Sequence, residues 1–257
     1  MKERVKQFIL TSTYNTTFWF WDLLLLTFKN RFIVGTKDIF DGKRIAIVGP
    51  ADSVLNTGLG EYIDGFDIVI RMNMAPLMVA KEGSSKDIGS RTDMLFRTHS
   101  ESEITGGKYL FDLYHDQQTK YVVFPFLRIK SPQMLMYFFM RKYHHKLKDI
   151  RMVVFADDDK AIIRDKINGK LATTGFSAIY SVLQSDFKEC YITGFTFLKT
   201  GYVKGYRDSF NSLEDGLKIV KKVGLHDLDA EFEAFKKLIV KDRSKIKLDS
   251  TLEKLIE

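Results

Sequence analysis

His226 stands five residues ahead of Glu231, at the front of the run LHDLDAEFEAFKKLIV. Leu228, Phe232, Phe235 and Leu238 of that run repeat at helical spacing, which predicts an amphipathic helix over 228–238. An imidazole titrates near neutrality and is the default general base, and a carboxylate at the same helix end can orient it. A lone histidine there can also be purely structural. In KLATTGFSAIYSVL, Thr173, Thr174 and Gly175 directly precede another helical run. Hydroxyls and amides at a helix N-terminus hold an anion without a metal, while Thr174 alone would be a plain N-cap. In VVFADDDK, Asp157 to Asp159 follow an apolar strand. They suit either a divalent cation bridging a nucleotide diphosphate or an acidic helix start. His99, His115, His144 and His145 have no metal-ligand spacing, and the single Cys190 excludes a paired-cysteine zinc site.

Three further strings sit where turns are expected. In IAIVGPADSVLNTGLG, Gly49, Gly58 and Gly60 miss the G-x-G-x-x-G spacing, yet a strand, turn and helix there still offer backbone amides to a phosphate. IVIRMNMAP ends an apolar strand in Arg71, Met72 and Asn73 before a proline. Asp87 to Thr92, D-I-G-S-R-T, packs two charges, a glycine and two hydroxyls into a stretch without helix or strand period.

The elements that must position these residues are short apolar runs alternating with longer amphipathic ones. Strands are predicted over 44–49, 66–73, 119–126, 149–157 and 188–195, and helices near 131–148, 158–168 and 175–187. This pattern predicts an α/β domain with a mainly parallel central sheet, helices on both faces and right-handed crossovers. Ligands bind such sheets beyond the carboxyl ends of the strands. The residues to read for chemistry are therefore Gly49 to Ser53, Arg71 to Asn73, Asp157 to Asp159 and Gly194 to Thr196. The C-terminal STLEKLIE reads as a short helix with a capping box from Ser250 to Glu253.

A net charge of +7 suits nucleic acid, anionic lipid or phosphorylated substrates alike, or simply a solvated basic surface. One cysteine permits no intrachain disulfide and fits a reducing compartment. Residues 1–40 form a separate apolar and basic segment, and 41–257 the main domain. In TTFWFWDLLLLTFKNRFIV, Asp22 interrupts an apolar run too short for the roughly 20 residues of a spanning helix. Trp19 and Trp21, with flanking Lys and Arg, suit a helix lying on an anionic membrane surface; a helix packed on the domain is the alternative.

Taken in order, four strings resemble the sialyltransferases, glycosyltransferase family 29. RIAIVGPADSVLNTGLGEYIDGFDIVIRMNMAP followed by KDIGSRT resembles the family's long motif, and LATTGFSAIYSVLQSDFKECYITGF its short motif. TGYVKGYRD lies where the third, aromatic motif belongs, and HDLDAE resembles the very short motif of His and Glu. The usual Asn-Ser after the first glycine is replaced by Pro50-Ala51-Asp52-Ser53, and the third motif lacks its histidine.

The resemblance implies a modified GT-A fold with one nucleotide-binding domain. It implies an inverting, metal-independent transfer of sialic acid or a related ulosonic acid such as Kdo from its CMP donor to a glycan or glycolipid. No cofactor and no nucleic-acid partner are expected. His226 would be the base, and Glu231 would orient or cap. Gly49, Asn73, Thr173, Thr174, Gly175, Gly194 and Phe195 would hold the donor, with Ser53 or Asn56 replacing the missing Asn. Tyr202 and Tyr206 would contact donor or acceptor. Asp87, Ser90 and Arg91 would fix the loop behind Asn73. With one cysteine, the chain resembles cytosolic, bacterial-type relatives that build surface glycans, peripheral on the membrane. A metal-dependent UDP- or GDP-sugar enzyme using Asp157 to Asp159, and a non-catalytic nucleotide- or membrane-binding protein, stand as alternatives.

Overall fold

The computed structural model describes residues 32–102, 105–125, 132–155, 157–206 and 213–257. Eight strands form one sheet: β1 Phe32–Val34, β2 Arg44–Val48, β3 Ile68–Met72, β4 Met94–Phe96, β5 Tyr121–Phe124, β6 Arg151–Val154, β7 Glu189–Thr193 and β8 Ile246–Leu248. Their order is β1-β6-β5-β4-β3-β2-β7-β8, and every pair of neighbours is parallel. The helices are α1 Lys37–Phe40, α2 Gly60–Asp64, α3 Ala75–Val79, α4 Ser85–Ile88, α5 Phe111–Asp116, α6 Pro132–Leu147, α7 Asp157–Lys166, α8 Thr174–Leu183, α9 Leu213–Val223, α10 Leu228–Lys241 and α11 Ser250–Ile256.

Strand side chains alternate between faces, so an apolar run with no polar alternation must be covered twice. Ile45, Ile47, Ile70, Met72, Phe96 and Ile192 pack under α7, α8, α10 and α11. On the other face Ala46, Val48 and Val69 meet α2, α3 and α4, while Leu95, Val122, Phe124 and Met152 meet α5 and α6. The chain runs outward from β2 through β3, β4, β5 and β6, then returns to the far side of β2 to lay down β7. This reversal opens a crevice at the carboxyl ends of β2 and β7, where doubly wound sheets bind ligands.

Three expectations change. Phe32–Val34 is an edge strand paired with β6, and Phe40 is fully buried, so residues 32–40 belong to the sheet domain. The remainder of the N-terminal segment, with Trp19 and Trp21, lies outside the described residues. Strands β4 and β8 are three residues each, too short to carry a readable period. The cap of α11 is Asp249, whose Oδ1 accepts the Leu252 amide at 2.8 Å, and not a Ser250 capping box. Among the described residues, no helix is long and apolar enough to cross a membrane.

Candidate active site

A cavity of about 440 Å³ opens at the switch point. Pro50 and Ala51 after β2, Asn73 after β3, Thr98 to Ser100 after β4 and Gly194 to Leu198 after β7 line it. The start of α8, Tyr202, Tyr206, His226 and Glu231 complete the wall.

Close backbone approach builds its floor. A Cβ on Gly49 would lie 2.1 Å from the Gly194 carbonyl oxygen and 2.9 Å from the Phe195 ring. A Cβ on Gly175 would lie 2.8 Å from the same ring, so Phe195 is clamped between the β2 turn and the start of α8. Gly194 has φ +71°, a conformation open to glycine at no steric cost. Asp249 holds it from behind: Oδ2 accepts the Gly194 amide at 2.8 Å and the Thr193 hydroxyl at 2.9 Å.

Helix α8 begins at Thr174, and its cap is Thr173, whose Oγ1 accepts the Phe176 amide at 3.1 Å. The role of N-cap thus falls one residue earlier than Thr174. Thr174 and Gly175 are left with amides that have no intrahelical acceptor, at the positive end of the helix. Glu231 anchors this cap. Its Oε1 accepts the Thr173 amide at 2.5 Å and its Oε2 the Thr173 hydroxyl at 2.7 Å. Burial pushes the Glu231 carboxyl up to about 8, against the pull of those two donors.

His226 sits immediately before the N-cap of α10, Asp227, whose Oδ1 accepts the Ala230 amide at 3.0 Å. Its Nδ1 lies 2.6 Å from the Leu171 carbonyl. A carbonyl only accepts, so Nδ1 carries the proton and the neutral ring has its lone pair on Nε2. The same carbonyl orients the ring in the cavity wall.

Asn73 adopts φ +47°, the left-handed conformation that asparagine tolerates better than most residues. Its Oδ1 accepts the Thr98 amide at 3.2 Å, and its Nδ2 donates to Tyr206 Oη at 3.4 Å. The Tyr206 ring meets Tyr202 edge-on at 5.2 Å, and the 201–206 loop is tied to the β2 turn by Val203 N to Pro50 O, 2.8 Å. Phe197 and Leu198, both lining the cavity, have φ of +49° and +58°. Left-handed conformations in two bulky residues store strain, which collects at functional sites.

A histidine just ahead of a helix cap, an anchored helix N-terminus and a strand-end asparagine around one cavity agree with the sequence comparison. The model of glycosyltransferase family 29 (sialyltransferase) matches residues 37–243. The chain belongs to this family. It is similar to a mouse alpha-N-acetyl-neuraminyl-2,3-beta-galactosyl-1,3-N-acetyl-galactosaminide alpha-2,6-sialyltransferase, 32% identical over 97 residues, 35% of this chain and 26% of that protein. A rat CMP-N-acetylneuraminate-beta-1,4-galactoside alpha-2,3-sialyltransferase is 44% identical over 52 residues, 20% of this chain and 13% of its own. The matched stretches thus span about a quarter or less of these relatives. Among solved structures, a mammalian sialyltransferase superposes with a TM-score of 0.52, and one in complex with Gal-beta-1-3GalNAc-ortho-nitrophenol with 0.50. Both are 18% identical, over 81% of this chain and 69% of theirs, and share its fold.

The family 29 signature divides between wall and scaffold. Asn73, Thr173, Thr174, Gly175, Gly194, Phe195, Tyr202, Tyr206, His226 and Glu231 line the cavity. Gly49, Ser53 and Asn56 do not. Gly49 serves close packing, and Ser53 faces a separate depression with Tyr62 and Tyr191. Asn56 is exposed and gives its amide to Asp87 Oδ2 at 2.9 Å. The turn after β2 swings toward α4, carrying both residues away from the donor positions expected for them.

Asp87, Ser90 and Arg91 also lie outside the wall. Asp87 Oδ1 accepts the Gly58 amide at 2.9 Å, and this bond, with that from Asn56, holds its carboxyl below the usual range. Ser90 donates its amide and hydroxyl to Asp64 Oδ2, both at 2.8 Å. Arg91 donates to Asp93 Oδ2 at 2.6 Å and to the Asp64 carbonyl at 2.9 Å. Arg71 is buried beneath them, donating to the carbonyls of Arg91, Ile88 and Gly89, and burial lowers its guanidinium to about 10.

Asp157 opens α7, at the end of β6. Strand β6 stands two places beyond β4 in the sheet, roughly 10 Å at the usual strand spacing. Among the described residues, no three His, Cys, Asp or Glu side chains gather as a metal-binding group. Sequence reasoning missed Thr98 to Ser100, because β4 itself went unrecognised. It also missed Asp227 and Asp249, although an acid three residues before a helical amide is the ordinary N-cap pattern.

Proposed function

We propose that this chain transfers sialic acid or a related ulosonic acid, such as Kdo, from a CMP donor to a hydroxyl of a glycan or glycolipid, with inversion. The observation that carries the reading is His226: Leu171 fixes the Nδ1–H tautomer at 2.6 Å, in the wall of a cavity shared with a helix N-terminus. The acceptor hydroxyl attacks the anomeric carbon opposite CMP and loses its proton to Nε2. The bond from that carbon to the phosphate oxygen breaks, and CMP leaves with one more negative charge than its ester carried. The amides of Thr174 and Gly175, with the Asn73 side-chain amide, suit that charge without a cation. Glu231 holds the α8 cap in place for this task. A mammalian sialyltransferase of the same fold binds Gal-beta-1-3GalNAc-ortho-nitrophenol, which supports a sugar hydroxyl as nucleophile.

We further read the N-terminal segment as a contact with an anionic membrane surface on the cytoplasmic side. It is tested by co-sedimentation with phosphatidylglycerol vesicles against phosphatidylcholine ones. The catalytic reading is tested by thermal shift. CMP should raise the melting temperature equally with and without EDTA, and UDP or GDP should not. Absence of a CMP shift at saturation would sink it, and turnover of CMP-sialic acid against CMP-Kdo then chooses the donor.

A further inference from the structure

Asp249 lies beyond residues 37–243, the stretch that the family model matches, and it is buried. It follows β8, and its own amide donates to the Ile192 carbonyl of β7 at 3.1 Å. Its two oxygens serve different partners. Oδ1 accepts the Leu252 amide at 2.8 Å and caps α11. Oδ2 accepts the Gly194 amide at 2.8 Å and the Thr193 hydroxyl at 2.9 Å. A helix cap needs only the first of these oxygens.

The second oxygen acts on the cavity floor. Gly194 is held on both sides, its amide by Asp249 and its carbonyl by the Ala51 amide at 3.0 Å. Ala51, Gly194 and Phe195 all line the cavity. With φ +71° and no side chain, Gly194 has wide backbone freedom and no packing of its own to limit it. A hydrogen bond from an amide to a carboxylate is about twice as strong as one between neutral groups, so it restrains that freedom. The residue aimed by this turn is Phe195, whose ring lies so close to Gly175 that a Cβ there would stand 2.8 Å from it. Direct contacts therefore run from α11 through Asp249, Gly194 and Phe195 to the N-terminus of α8.

We propose that Asp249 is a positioning residue for donor binding: by fixing the Gly194 amide it seats Phe195 against the start of α8, where the Thr174 and Gly175 amides meet the phosphate. This rests on the CMP-donor reading above. It requires no contact between Asp249 and the ligand.

The test measures the dissociation constant and stoichiometry of CMP binding by calorimetry, well below the melting temperature, for the wild type, Asp249→Ser and Leu252→Val. Serine still caps α11 but is too short to reach Gly194. Valine at the buried Leu252 loosens α11 and leaves the Gly194 amide bonded. Asp249→Ser should weaken CMP about 10-fold at full stoichiometry, while Leu252→Val should lower the melting temperature and change the affinity less than about 2-fold. A wild-type dissociation constant in Asp249→Ser, whatever its melting temperature, would make Asp249 a structural strut only and overturn the proposal. Equal weakening in Leu252→Val would overturn it as well. Should Asp249→Ser fail to fold, Asp249→Asn decides. Its single oxygen caps α11 and leaves an NH₂ group facing the Gly194 amide, so weakened CMP supports the proposal and unchanged affinity overturns it. A wild type that binds no CMP removes the donor reading and this proposal together; a wild type that binds it isolates the Asp249 question.

Discussion

Asp87 and Glu231 are both buried carboxylates that accept two hydrogen bonds, and both lie in family 29 signature strings. Their acidities move in opposite directions. Asp87 receives two backbone amides of one turn, which favour its ionised form. Glu231 is held below the α8 cap, where burial outweighs its two donors and favours the neutral form. The first carboxylate ties a loop together away from the cavity; the second sits in the cavity wall. The long motif is the more distinctive string, yet much of it is scaffold, while the weaker His226-to-Glu231 string carries the chemistry proposed here. Distinctiveness of sequence measures how many constraints a stretch satisfies, and a dense polar network satisfies many without touching a ligand.

The sharpest way to separate wall from scaffold is His226→Ala. It should lower kcat by about 10² to 10⁴-fold, with the melting temperature and CMP binding unchanged. Unaltered turnover would remove His226 as base. On the scaffold side, Asp87→Ala strips the acceptor from the Asn56 and Gly58 amides and should cost about 1–3 kcal/mol in denaturant unfolding. Arg91→Ala should cost a similar amount by freeing Asp93 and the Asp64 carbonyl, and activity should fall with it. An intact fold with only weakened CMP affinity would move Arg91 from scaffold to site.

The smallest effect is one of pH. Glu231 is raised from 4.5 to about 8, so its contribution to stability is complete below 4.5 and is lost as pH rises through about 8. Asp87 is depressed below 3.8, so its contribution is present above that value and is lost as pH falls through the lower one. Glu231→Gln should therefore flatten the loss of melting temperature between about pH 5 and 8, leaving the acid limb unchanged. A variant that keeps the full neutral-side slope would contradict the assignment.

Much of the fold was legible because five of the eight strands are continuous apolar runs ended by turn residues, and α6, α7, α8 and α10 fall within a few residues of the positions their patterns predict. Strands β1, β4 and β8 were not legible: three residues show no period, and they are strands only because the neighbouring edge offers them partners. Within the site, Thr173 to Gly175 and His226 stood out by type and by place before a helix. Ser53 and Asn56 fall outside the cavity because a turn's direction depends on what it packs against, here Asp87 at the end of α4, which holds Asn56 and Thr57.

The sequence by itself determined a parallel α/β sheet, the strand ends where chemistry would gather, and membership in family 29 through motifs in the right order. These follow from side-chain period, turn chemistry and residue identity, which are local properties. Only the tertiary structure decided which motif residues face the cavity, that Leu171 sets the His226 tautomer, and that Glu231 is buried against Thr173. The last two join residues 55 and 58 positions apart, and burial, which sets their strength, exists only once the sheet has closed over them.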